Sequence, residues 1–111
     1  YIQSNSFVYL AKFQTTNMGF TLSNQRIENL DENSFNGLKN LKSLFLSFNL
    51  LTNLKNNTFK GLEKLEELNL NSNQISSIEL NAFSGIESLD KLFLSENRIE
   101  FLSKDVLKSF K

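Results

Sequence analysis

In the stretch LKSLFLSFNLLTNL, Leu41, Leu44, Leu46, Leu51 and Leu54 surround a single asparagine, Asn49. Over its whole length the spacing follows neither the 3.6-residue stripe of an amphipathic helix nor the alternation of a half-buried strand. The same arrangement returns 24 residues later as Leu65, Leu68, Leu70, Asn73, Ile75 and Ile78, and again as Leu89, Leu92, Leu94, Asn97, Ile99 and Leu102. A weaker copy precedes it at Asn17, Phe20, Leu22, Gln25, Ile27 and Leu30, departing at its first position and at the asparagine. Each copy has a second half: NSFNGL at 33–38, NTFKGL at 57–62, NAFSGI at 81–86 and DVLKSF at 105–110. Phe35, Phe59, Phe83 and Leu107 form one column and Leu38, Leu62, Ile86 and Phe110 another. This common period divides the chain into units 17–40, 41–64, 65–88 and 89–111, the signature of a solenoid.

The pattern LxxLxLxxNxLxxLxxxxFxGL resembles the leucine-rich repeat family in its typical 24-residue form, found mainly in extracellular proteins. The resemblance covers residues 17–111 and implies an α/β solenoid: a right-handed horseshoe segment with a parallel sheet on its concave face and an irregular or 3₁₀ convex side. In such a coil xxLxL is a short strand whose leucines point inward while alternate residues point out. The sharp turn that follows leaves backbone groups without ladder partners. An asparagine, with two donors and an acceptor, can satisfy them, so Asn49, Asn73 and Asn97 are expected to stack as a structural ladder. Gln25 is expected to make a looser turn. Phe35, Phe59 and Phe83 are expected to stack as a spine inside the convex wall, and Gly37, Gly61 and Gly85 to permit tight turns.

Residues 1–16, YIQSNSFVYLAKFQTT, fall outside the register. Phe7, Tyr9, Ala11 and Phe13 alternate with Val8, Leu10 and Lys12, which suits a strand covering the N-terminal end of the core; a degenerate earlier repeat is the alternative. Extracellular members of the family usually carry cysteine-bearing caps, which are missing here. The chain is therefore expected to be a portion of a longer exported protein.

Register also gives the outward residues of the concave face. Phe45 and Phe93 share a column two coils apart, about 9–10 Å at parallel-strand spacing, with Asn69 between them. Exposed aromatics rimmed by polar groups suit a protein contact. The candidate partner-binding set is Phe45, Phe48, Glu67, Asn69, Asn71, Lys91, Phe93 and Glu96. Asn56-Asn57-Thr58 is the one N-x-Ser/Thr triplet whose middle residue is allowed, which makes Asn56 a glycosylation candidate on a loop outside the core.

Composition narrows the chemistry. There is no cysteine and no histidine, so zinc sites, iron–sulfur ligation, cysteine nucleophiles and Ser-His-Asp triads cannot be built from this chain. Glu66 and Glu67, as strand neighbours, face opposite ways and make no acid/base pair. No metal, cofactor or enzymatic activity is expected. Basic and acidic residues number 12 each, so no basic field recruits nucleic acid or an anionic membrane, and no apolar run is long enough to insert in one. The expectation is non-enzymatic recognition of a protein ligand through the concave face, outside the cell or on a receptor ectodomain. By resemblance, Toll-like receptors and insect leucine-rich immune proteins are the comparison, suggesting innate immunity. The alternative is an assembly scaffold that self-associates through array ends or edges.

Overall fold

The computed structural model describes Ile2, residues 18–108 and Phe110 of the 111-residue chain. The cap strand expected over residues 1–16 therefore lies outside the described residues, save for Ile2. Four strands recur at the repeat period: β1 (Met18–Thr21), β2 (Leu41–Phe45), β4 (Glu67–Asn69) and β6 (Lys91–Phe93). They form one parallel sheet in the order β1-β2-β4-β6. Register follows sequence spacing, so Ser43, Glu67 and Lys91 line up across the sheet, as do Leu44, Leu68 and Leu92, and Phe45, Asn69 and Phe93. A parallel pair needs a long crossover. Here the rest of each coil supplies it.

The convex side is more regular than the sequence suggests. β3 (Asn53–Leu54) and β5 (Ser77–Ile78) make a second, two-stranded parallel sheet. Asn and Ser are poor strand formers, so this pairing is imposed by stacking of coils rather than by local preference. Ile2 extends the same arrangement at the other end. It forms a parallel bridge with Leu30 and accepts from the Asp31 N–H at 2.9 Å, as Leu54 accepts from the Glu79 N–H. Its backbone takes the place that a preceding coil would occupy. Among the described residues the only helix is a 3₁₀ segment, Lys104–Leu107, with Ser103 as its N-cap.

Between the two sheets runs one continuous core. Leu41, Leu44, Leu46, Leu51 and Leu54 of the second coil are fully buried, as are Leu65, Leu68, Leu70 and Ile75 of the third. Phe35, Phe59 and Phe83 stack face to face, with centroids 5.9 and 6.2 Å apart and interplanar angles of 8°. The expected fourth member differs. Leu107 is 38% exposed, and the ring of Phe110 packs on Phe83 instead, at 5.5 Å and tilted by 38°. A phenylalanine three residues on offers an aromatic surface that leucine lacks.

The asparagines link the coils. Asn49 donates from Nδ2 to the carbonyls of Leu22 and Leu46, each at 3.0 Å, while its Oδ1 accepts from the Gln25 and Ile27 N–H groups. Asn73 repeats the pattern toward Leu46 and Leu70 and accepts from the Leu51 N–H at 3.2 Å. Asn97 does so toward Leu70 and Leu94 and accepts from Ile75. The Leu46 and Leu70 carbonyls each accept from two successive asparagines, which fills both lone pairs. Gln25 turns its amide to its own coil, onto Ser23 O at 3.1 Å, and the next residue, Arg26, takes a left-handed conformation (φ 57°) found at that position in no other described coil.

Candidate recognition surface

The residue that follows each strand by three positions, Asn24, Phe48, Ser72 or Glu96, is left-handed in every coil, with φ of 56–60°. This is the bend that carries the chain off the concave sheet. Asparagine tolerates such a conformation, whereas for a bulky residue it is an outlier. Phe48 nevertheless occupies the position and is 61% exposed. Leu50, two residues on, is exposed beside it and borders a shallow groove of about 350 Å³ lined also by Glu28, Asn29, Thr52 and Gln74.

Phe93 stands on the concave face of β6 and is 37% exposed. Phe45, its column partner, is only half-exposed, for a reason the repeat pattern does not contain. Its ring edge lies 3.9 Å from where a Cβ on Gly19 would stand, an ordinary van der Waals distance, so the ring packs beside β1. Glycine at 19 thus gives Phe45 a packing partner in the fold, and the most open aromatics of this surface are Phe48 and Phe93.

The polar members divide into fixed and open groups. Asn69 Oδ1 accepts from the Asn71 N–H at 2.9 Å, and Asn71 Oδ1 accepts from the Ser95 N–H at 2.6 Å. Their side-chain oxygens are thereby committed to the turn. Ser23 and Ser47 share a hydroxyl contact at 3.0 Å in the neighbouring coils. Glu67 and Lys91 are register partners with opposite charge, half-buried and exposed respectively, and Glu96 is exposed at the bend. Lys42 bridges to Glu66 at 3.2 Å on the strand-entry side, a solvated pair of the kind worth about 0–1 kcal/mol.

Asn56 sits on the convex loop with two cross-coil bonds: its N–H donates to Glu79 Oε1 and its Oδ1 accepts from the Asn81 N–H, both at 2.8 Å. Thr58 is fully buried and donates its hydroxyl to Lys55 O at 2.7 Å, as Ser34 does to Asp31 O at 2.6 Å one coil earlier. Each polar residue of the triplet therefore has a structural reason to be present. Folding also hides the hydroxyl that an acceptor triplet must show.

Several apolar residues on the surface were not singled out from sequence. Phe101 is 83% exposed and Leu80 55%. Phe101 occupies the column of Asn29, Asn53 and Ser77, so comparison of columns rather than of motifs would have found it. Among the described residues no cluster of three His, Cys, Asp or Glu could hold a metal ion, and no helix is long and apolar enough to cross a membrane.

The Leucine rich repeat family model matches over residues 18–75, 48–99 and 64–111, and the chain belongs to that family. Thirty solved chains match it. One is the crystal structure of the TLR13–ssRNA13 complex, at 25% identity and a TM-score of 0.65, covering 96% of this chain. This chain spans only 18% of that one. The comparison with curated proteins finds no match. Solenoid fold and Toll-like receptor resemblance thus stand together.

Proposed function

We propose that this chain is a non-enzymatic recognition module that holds a protein partner on the concave face and on the bend beside it. The observation that carries this reading is Phe48. A left-handed conformation costs an L-residue about 1–2 kcal/mol, and a ring left mostly in water returns little burial to offset it. The bend itself is needed in every coil, so what lacks a folding return is an exposed phenylalanine there in place of an asparagine, and that points to a ligand. Phe93 supplies a second aromatic anchor, and Glu67, Asn69, Asn71, Lys91 and Glu96 form the polar rim expected around such anchors. Phe45 contributes the flank of its ring. Resemblance to TLR13 supports an extracellular or ectodomain setting and an immune role, and with the Thr58 hydroxyl buried in the folded coil, a glycan on Asn56 is added before that coil folds. In this reading residues 17–111 are the array and residues 1–16 its N-terminal cap-like segment.

The test compares the protein with a Phe48→Asn/Phe93→Ser variant for retention of extracellular proteins from the native source, and for binding of single-stranded RNA by fluorescence anisotropy. Loss of a specific protein from the variant, with unchanged circular dichroism, is the expected result. Identical retention by both sinks the proposal. RNA binding that falls steeply with salt favours the nucleic-acid reading suggested by the TLR13 complex. The scaffold alternative holds that the array self-associates through its ends or edges. It requires a sedimentation coefficient that rises with concentration.

A further inference from the structure

Asn36 and Gly37 are the only Asn–Gly pair in the chain. They lie in the convex turn between two core residues, Phe35 and Leu38. We propose that Asn36 is a site of spontaneous deamidation in the folded protein, and that its isoaspartyl product disrupts the second coil.

In this reaction the backbone nitrogen of Gly37 loses its proton and attacks Cγ of Asn36. The side-chain nitrogen leaves as ammonia and a five-membered succinimide forms. Water then opens the ring at either carbonyl, giving aspartate or isoaspartate. No other reactant is needed. The step requires an unhindered nucleophile and a backbone amide that is not already committed to a hydrogen bond.

Only this turn combines both. The amides that follow Asn33, Asn49, Asn57, Asn71 and Asn97 donate to Asp31 O, Ile27 O, Lys55 O, Ser95 O and Ile75 O. The Gly37 amide donates to nothing among the described residues, since the flanking bonds of the turn run from Asn36 N to Asn33 O and from Leu38 N to Phe35 O. Gly37 has no side chain to crowd the attack, and its φ of 101° is open to glycine alone among common residues. The equivalent turns of the second and third coils carry Lys60-Gly61 and Ser84-Gly85, the same geometry without an amide electrophile. Asn36 is exposed, so water reaches the ring.

The two products differ in consequence. Aspartate keeps the main chain and only places a carboxylate where the Asn36 oxygen now lies, against the Gly61 turn. Isoaspartate routes the main chain through Cβ and lengthens it by one atom between Phe35, at the end of the spine, and Leu38, whose carbonyl receives the Leu41 N–H at the start of β2. That strand carries Phe45 and leads into Phe48.

The experiment incubates the folded protein and the urea-unfolded chain in mildly alkaline buffer. Conversion at each asparagine is followed by peptide mass mapping, and isoaspartate by enzymatic carboxyl methylation. Asn36 is expected to convert first in the folded protein, with several-fold greater preference over Asn71 than in the unfolded chain, because folding ties up the Ser72 amide and leaves that of Gly37 open. Methyl label should appear in the 36–37 peptide and vanish in Asn36→Gln. The proposal is overturned if folded Asn36 stays intact while the unfolded chain converts, or if folding leaves the preference unchanged.

Discussion

Replacing Asn73 by alanine tests the physical role of the ladder most directly. Asn73 is 7% exposed and is the central member of the described series. The substitution strands the buried Leu51 N–H, which costs about 1–3 kcal/mol. It also removes one of two donors from each of the Leu46 and Leu70 carbonyls, and these retain Asn49 and Asn97 respectively. Each of those lost bonds is worth about 0.5–1.5 kcal/mol. Together they give about 2–6 kcal/mol, a large part of the stability of a domain this size. Asn97→Ala makes the internal comparison, because Asn97 is half-exposed and water can replace part of what is lost. Urea unfolding followed by far-ultraviolet circular dichroism, with tyrosine fluorescence as a second probe of cooperativity, measures both. A loss below about 1 kcal/mol for Asn73→Ala, or one no greater than for Asn97→Ala, would refute the claim that these amides hold the turns.

Phe48→Asn should raise stability by about 1 kcal/mol, since asparagine accepts the left-handed bend; a fall in the urea midpoint would show that the ring stabilises the fold. Gly61→Ala should destabilise by about 1–3 kcal/mol, because the new Cβ would meet the Asn36 Oδ1 at 2.9 Å and Cα at 3.0 Å at a φ of 103°. Gly19→Ala, with its nearest neighbours at 3.9 Å, should change stability by less than about 0.5 kcal/mol, and equal effects at the two sites would contradict the backbone argument. Lys42→Ala should cost less than about 1 kcal/mol and lose that effect in high salt; a larger, salt-independent loss would mean that the Glu66 bridge is shielded from solvent.

The solenoid was legible in the sequence because equivalent positions in each coil meet nearly the same surroundings, so period and side-chain type carry the architecture. Leu44, Leu68 and Leu92 are register partners for this reason. What the sequence left open depends on contacts between unlike coils. Phe45 shares its column with Phe93, yet it is less exposed because its ring packs beside Gly19 on the adjacent strand. Leu107 shares a column with the phenylalanine spine, but Phe110 reaches Phe83 in its stead. The β3–β5 pair was invisible because Asn53 and Ser77 have no strand preference of their own. For Asn56 and Thr58 the same text reads as a modification signal and as two cross-coil and turn hydrogen bonds, and only the coordinates display the second.

Recognition through the open aromatics of the concave side is the central claim, and photo-crosslinking tests it most directly. A benzophenone-bearing residue placed at position 93, at 48, or at the convex position 60 is incubated with extracellular fluid from the native source. The account predicts one discrete adduct shared by positions 93 and 48 and absent at 60. The same adduct formed from position 60, with none from 93 or 48, would contradict it.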